Sequence, residues 1–430
     1  MLEKILNEQF KGLLKLVFTD IANQQDCRDE EEFAKDEVRI KEDLIDTVDP
    51  YPAKITLPKD FRVAAVDGSG TDSLVVLDDI RVHLFSVASV VLETGTRTGH
   101  LFKPVDRELV ESELGEQPHL DAHWHSGIRG DARNKLAETL ANIYPVKDLD
   151  GLVLPFFRDH ERSSLKSISE LTKTSYQKHV PKLEKMKTLI SRVQMLTNAI
   201  AHEELRKVSE YAAARKILTS DLSPKYLLLD GAMTIFMHFV RQYPSMPSGF
   251  MLREMCSLAR EKGIILCAVS KNHTIPFAHR IAKMAQDKYG LGAKWFCHLP
   301  CKDDSGGGLH ITENRTYIPP RLAVPYLFSF TQDNRPSRID FDRIWWLENI
   351  LVHDDPIATR KNELVLFKEL EFMSRDARWY GYPVALALAH ESCKLSYEDL
   401  RLAREVCREV RFEMGFGSDK TEPLRVDYNL

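Results

Sequence analysis

The sequence predicts an α/β fold: a mixed β-sheet flanked by helices. Two patterns point to it. From Arg62 to Gly95, β-rich apolar runs succeed one another with only turn residues between them, as in an antiparallel meander. From Lys225 onward, apolar strands alternate with helical stretches, as in parallel strands joined by helical crossovers. Between the two, residues of about 160–220 carry long charged helical patterns and read as a helical insertion.

A chain of 430 residues with 43% hydrophobic content can bury a large core, in one elaborated domain or two. Its formal net charge of -5 and pI near 6.3 supply no global basic field, so contact with nucleic acid needs a local groove of Lys and Arg. No apolar run reaches the roughly 20 residues that span a bilayer. The opening "MLEKILNEQFKGLLKLVF" is an amphipathic helical pattern with acids, unlike a signal peptide. The expectation is a cytoplasmic protein with no membrane association. Seven cysteines, odd in number and scattered, fit reduced thiols.

Taken in order, the opening helix leads into "DCRDEEEFAKDEVRIKEDLIDTVDP", a solvated helix or connector, so residues 1–54 form an N-terminal helical segment. In "RVAAVDGSG" an apolar strand, Arg62–Val66, is stopped by Asp-Gly-Ser-Gly. "SLVVLDD" and "RVHLFSVASVVLETG" complete the meander. After the charged helices, "KYLLLDGAM" is a second apolar strand ending in Asp-Gly, followed by a helix in "TIFMHFVRQY" and then another helix. A third strand follows in "GIILCAVSKN", and a helix in "IPFAHRIAKMAQDKYG". Residues 294–347 return to β patterns, including "YLFSFT" and "SRIDFDRIWW". The end is helical, with Ser396 and Asp399 forming a capping-box signature before "LRLAREVCREV". The main domain spans 55–400, and 401–430 form a C-terminal helix and tail.

Two strands thus end alike, apolar run then Asp-Gly, at Asp67 and Asp230. Carboxylates at strand ends, with glycine beside them to allow close approach, are a common way to hold a hard divalent cation. Each is equally explained as an Asp-Gly turn. Lys271 stands just past the third strand, where a cation can touch a phosphate or merely terminate the strand. Ser69 can support a carboxylate or a phosphate, or serve as a turn residue. His390 closes the apolar run of "GYPVALALAHE", either as a core histidine or as a residue aimed at a site.

The ordered set "AVDGSG", "SEYAAARKIL", "LLLDGAM", "AVSKN", "SRIDF" and "GYPVALALAHE" resembles the NurA nuclease family over about residues 55–400. The resemblance implies an RNase H-like core, DNA hydrolysis with a divalent metal, Mn2+ or Mg2+, a homodimer, and partnership with a HerA-type hexameric ATPase that translocates DNA. It makes Asp67 and Asp230 metal-binding carboxylates and Glu210 the third acid, ahead of Glu203 and Glu204. It pairs Tyr382 with His390, which Pro383 helps to place: eight residues are about 12 Å of helical rise, enough to line one rim of a site. His390 is then a metal ligand or proton-transfer group, and Tyr382 orients a phosphate or a metal-bound water. Repair of DNA and antiphage defence are both compatible roles. The alternative is a non-catalytic DNA-binding or scaffold subunit of a HerA-type ATPase complex. "LDGAM" departs from the family in carrying Ala232 where serine is often found.

Other motifs carry less. "CHLPC" (Cys297, His298, Cys301) lacks a second ligand pair at zinc-finger spacing. "DDSGGG" lacks the Lys-Ser/Thr of a P-loop. "HWHSGIRGD" and "RDHER" read as exposed polar loops.

Overall fold

The computed structural model describes residues 45–48, 61–70, 73–77, 80–94, 102–126, 140, 142–144, 149–161, 170, 177, 180–191, 198–233, 239–240, 243–244, 247–273, 275, 278–299, 323–331, 335–376, 378–379 and 381–413. The elements run β1 (Ile45–Thr47), β2 (Arg62–Gly70), β3 (Val75–Leu77), β4 (Ile80–Thr94), β5 (Phe102–Pro104), α1 (Arg107–Leu114), β6 (His119–Ser126), α2 (Leu149–Glu161), α3 (Val180–Ser191), α4 (Asn198–Thr219), β7 (Tyr226–Asp230), β8 (Phe239–Val240) and β9 (Tyr243–Pro244). They continue with α5 (Pro247–Lys262), β10 (Ile265–Ser270), α6 (Ala278–Tyr289), β11 (Trp295–His298), β12 (Ala323–Ser329), β13 (Ser337–Asp342), α7 (Arg343–Asn349), α8 (Pro356–Met373), α9 (Val384–Cys393) and α10 (Tyr397–Glu413). None of these helices is long and apolar enough to cross a membrane.

Strands β6, β4, β2, β7 and β10 lie side by side in that order; β4 is antiparallel to both β6 and β2, and β2, β7 and β10 run parallel. This is the RNase H-like arrangement, a meander followed by helical crossovers. Beyond β10 the sheet continues antiparallel through β13, β12, β11 and β1, giving 11 strands in all.

Because strand side chains alternate between faces, the sequence of each strand is divided between two cores. Ala64, Val66, Leu227 and Leu229 pack with α2, α4 and α5 through Phe156, Leu205, Val208 and Met255. Val63, Ala65, Tyr226 and Leu228 pack on the opposite face with α7, α8 and α9 through Trp346, Phe367 and Leu386. The helical run at 160–220 therefore ends in a helix, α4, that lies directly on the sheet. Arg253 and Arg260 of α5 pair with Asp159 of α2 and with Asp342, at 2.7 Å for Arg253–Asp342 and 3.0 Å for Arg260–Asp159, so each buried charge has a partner.

Four local expectations change. β2 does not stop at Val66: Asp67–Gly70 stay in the ladder with Phe85–Ala88, since a long partner strand supplies hydrogen bonds through the glycines. The expected helix in "TIFMHFVRQY" is replaced, at its described residues, by the antiparallel pair β8–β9. Tyr243 precedes Pro244, which disfavours helical geometry there, and the helix begins instead at Pro247. "SRIDFDRIWW" divides at Asp342, whose carboxylate accepts the Trp345 N–H at 3.3 Å and starts α7. "HWHS" lies in β6 rather than in a loop, paired with β4, and Arg158–Glu161 of "RDHER" lie in α2 with Asp159 buried. The expected N-terminal helix lies outside the described residues apart from Ile45–Thr47, an edge strand on β11; Cys301, the "DDSGGG" segment and the tail beyond Glu413 also lie outside them. The capping box forms as expected, with Ser396 N–H donating to Asp399 Oδ2 at 2.8 Å and Asp399 N–H to Ser396 Oγ at 3.1 Å. Among the described residues Cys256, Cys267, Cys297, Cys393 and Cys407 form no disulfide.

Candidate active site

Asp67 and Asp230 are brought together by register. In the parallel pair β2–β7, Val66 stands opposite Leu229, and the next residue along each strand is an aspartate. Parity then sends both side chains to the α9 face, with Ala65 and Leu228. Asp67 is buried; its Oδ1 accepts the Gly68 N–H at 2.8 Å, and its Oδ2 lies 2.8 Å from His390 Nδ1. Asp230 is exposed to solvent, and its Oδ1 accepts the Tyr382 hydroxyl at 2.9 Å. The chain beyond Asp230 is pinned from the next strands: the Met233 N–H donates to Asp340 Oδ2 at 2.9 Å, and Arg338 holds the other oxygen at 2.7 Å. That assigns the "SRIDF" motif an anchoring part.

Helix α9 begins after Pro383 and carries the buried stripe Val384–Ala387 and Ala389 toward the sheet. Tyr382 is thereby fixed just before the helix and His390 two turns along it, both at the strand ends. Lys271, one residue beyond β10, places its ammonium 3.8 Å from the centre of the Tyr382 ring, a cation–π contact on the Asp230 side. Ser69 follows Asp67 on the same face of β2, and among the described residues no hydrogen bond links it to the carboxylates.

Glu210 arrives from the opposite face, on α4, through a gap left by Gly68. A Cβ on residue 68 would stand 2.7 Å from Glu210 Oε1 and 2.8 Å from its Cγ, so any side chain here would force Glu210 to shift. The neighbouring acids are used otherwise. Glu204 is buried and accepts the Ser248 N–H and hydroxyl, each at 2.8 Å, at the start of α5. Glu203 is exposed and pairs with Lys207 at 3.0 Å.

Arg206, which the sequence reading did not select, is the cation that touches Glu210. Its Nη1 donates to Glu210 Oε1 at 3.0 Å and to the Gly68 carbonyl at 3.1 Å. The available signal was the i,i+4 spacing of Arg206 and Glu210 on one helix. The sequence marks Gly68 as allowing close approach beside Asp67, but not as the place where Glu210 packs.

The charges load one another. Burial pushes the Glu210 carboxyl up to about 8, with Arg206 opposing and Asp67 and Asp230 adding to the rise. Although part of the Asp230 residue is open to solvent, desolvation by the protein around its carboxyl, then the Asp67 carboxylate, raises Asp230. The hydrogen bond to Asp67 raises His390 above the ordinary imidazole range. Burial and the Asp230 carboxylate hold the Tyr382 phenol well above its ordinary value, so it remains an O–H donor. Burial lowers Lys271, against the pull of Asp230, Glu391 and Asp67.

Three mutually repelling carboxylates and an imidazole are the hard-oxygen and nitrogen donors that suit Mn2+ or Mg2+, and a divalent cation would relieve their repulsion. Each is engaged in a hydrogen bond instead, and among the described residues no three His, Cys, Asp or Glu side chains stand as a ready coordinating set. The donors fit such an ion in kind. His298 of "CHLPC" is buried, its ring stacked on Tyr326 with centroids 4.8 Å apart, and burial holds it well below the ordinary range.

No protein-family model matches the chain, and no curated protein does. Solved structures do. The crystal structure of the NurA nuclease from Sulfolobus solfataricus is similar over 95% of this chain and 98% of its own, at 12% identity and a TM-score of 0.45. A NurA structure with bound dAMP and manganese covers 93% of this chain and 96% of its own, at 10% identity and a TM-score of 0.31. A further NurA structure with manganese covers 93% and 98%, at 11% identity and a TM-score of 0.34. At such identities the likeness assigns no residue a role. In fold, the chain is similar along nearly its whole length to solved NurA nucleases.

Proposed function

We propose that this protein is a divalent-metal-dependent deoxyribonuclease that hydrolyses phosphodiesters at the cluster of Asp67, Asp230 and Glu210. The observation that carries this reading is that Asp67 and Asp230 end neighbouring strands with His390 and Tyr382 of the α9 segment hydrogen-bonded to them, while Glu210 of α4 lies against Gly68 within electrostatic reach of both. The buried acids Asp159 and Asp342 are each neutralised by two arginines, Arg253 and Arg260; Glu210 has Arg206 alone, and burial with neighbouring carboxylates raises both it and Asp230.

Asp67, Asp230 and Glu210 would hold Mn2+ or Mg2+, which when bound neutralises phosphate charge and lowers the pKa of water. Asp67 is oriented for this by the Gly68 N–H and His390, and Asp230 by Tyr382. His390, whose protonated form is favoured by the hydrogen bond to Asp67, would serve as the proton donor to the departing oxygen. Tyr382, a lasting donor, steadies Asp230 while Lys271 faces phosphate.

Cleavage of end-labelled linear and circular DNA, single- and double-stranded, tests the reading directly. Manganese should support cleavage, EDTA abolish it, and Asp67→Asn or Asp230→Asn remove it. Unchanged manganese-dependent cleavage by Asp67→Asn sinks the assignment. The ordered motifs support a homodimer working with a HerA-type ATPase in DNA repair or antiphage defence; adding such an ATPase should then stimulate digestion of duplex ends.

A further inference from the structure

We propose that Arg206 binds a phosphodiester of the DNA strand, so that the strand crosses the acidic cluster between α4 and the end of β10. The inference rests on the reading that this cluster acts on DNA. A nest of carboxylates repels a polyanion, and fixed cations must flank it for the backbone to approach. Two such cations stand on its two sides. Lys271 lies on the Asp230 side, against the Tyr382 ring. Arg206 lies on the Glu210 side, reaching past Gly68 from α4.

The hydrogen bonding of Arg206 is one-sided. Both of its bonds, to the Gly68 carbonyl at 3.1 Å and to Glu210 at 3.0 Å, are made by Nη1. Among the described residues neither Nε nor Nη2 has a partner, and the side chain is 30% exposed. The open Nε/Nη2 edge is a planar pair of donors with the spacing of two phosphate oxygens. The two Nη1 bonds fix the plane of the guanidinium beforehand, which lowers the ordering cost of the contact. A lysine can supply the charge but cannot hold Glu210 and present a second donor pair at once. The strand would thus place one phosphate on Arg206 and another on Lys271, with the carboxylates between them.

Anisotropy of a fluorescein-labelled oligo(dT) with the full chain, in EDTA across a salt series, tests this without any cleavage. Each phosphate contact on a single strand contributes about 0.7 to the slope of log affinity against log salt. Arg206→Gln should bind about tenfold more weakly, the size of a lost charged hydrogen-bond pair, with a slope smaller by about 0.7. Wild-type affinity and slope in that variant overturn the proposal. So does weaker binding at an unchanged slope, which would leave Arg206 as a tie for Glu210 alone. Arg206→Lys keeps a cation beside Glu210 and guards against misfolding of the glutamine variant: it should keep the slope and lose affinity, and wild-type affinity in it would show that the fork is unused. Manganese-dependent cleavage by the unsubstituted chain is scored separately, so loss of the nuclease reading and loss of this phosphate contact are distinguishable.

Discussion

Replacing Glu210 by Gln should stabilise the cation-free protein at alkaline pH and not in acid. Glu210 is 6% exposed, and its carboxyl is pushed up from 4.5 to about 8, chiefly by burial. The folded protein therefore keeps a proton that the unfolded chain has released. Below 4.5 both states are protonated and the group costs nothing. As pH rises toward 8 the fold loses about 1.4 kcal/mol per pH unit from this group, reaching roughly 5 kcal/mol. Glutamine removes that loss, and the opposing charge of Arg206 is already contained in the value of about 8. The net gain at pH 9 is therefore roughly 5 kcal/mol. Urea unfolding of both proteins in EDTA at pH 5, 7 and 9 measures it, and the stability difference between them should change by several kcal/mol across the series. A difference that does not move with pH refutes the reasoning, because Glu210 would then be ionised throughout and the cluster would store no electrostatic free energy. Manganese should diminish the alkaline advantage of the variant by stabilising only the carboxylate form.

Gly68→Ala places a methyl group 2.7 Å from Glu210 Oε1; it should cost about 1–3 kcal/mol and weaken manganese binding in calorimetry, and unaltered binding would show that Glu210 is not a donor. The raised His390 contributes stability that is present below about 6.5 and lost as pH climbs through its folded value. Because its side chain is 56% exposed, the contribution is under about 1 kcal/mol, so His390→Ala should melt lower than wild type at pH 5.5 and level with it at pH 9. Glu204→Ala leaves two donors of Ser248 unpaired and should lose about 2–3 kcal/mol in urea unfolding, whereas Glu203→Ala should stay within about 0.5 kcal/mol. Tyr382→Phe should keep the fold and lower manganese-dependent cleavage, because it strips Asp230 of its hydroxyl partner at 2.9 Å.

Much of the candidate site's geometry was legible along the chain. The two Asp-Gly strand ends, Tyr382, His390 and Lys271 all stand at one place, and the reading of Asp67 as a plain turn fails because β2 runs on through Gly70. Glu210 was less legible for a geometric reason. Glu203 and Glu210 are seven residues apart, about two helical turns, so they share a face by periodicity. Helical pattern cannot choose between them. What chooses is how far along its axis α4 meets β2, and that depends on packing between Leu205, Val208 and the sheet.

The sequence by itself determined the alternation that sends Asp67 and Asp230 to one face, the order of meander and crossovers, and the turn that starts α9 after Pro383. These are local: side-chain period, turn chemistry and the fixed φ of proline act within a few residues. Only the tertiary structure decided that Glu210 packs against Gly68 on the other side of the strand, that Arg206 ties it there, and that "TIFMHFVRQY" contributes to the antiparallel pair β8–β9. Those outcomes depend on which surfaces meet across the two faces of the sheet, where a missing Cβ opens a path and a neighbouring carboxylate changes the charge of another, and neither is encoded at any single position.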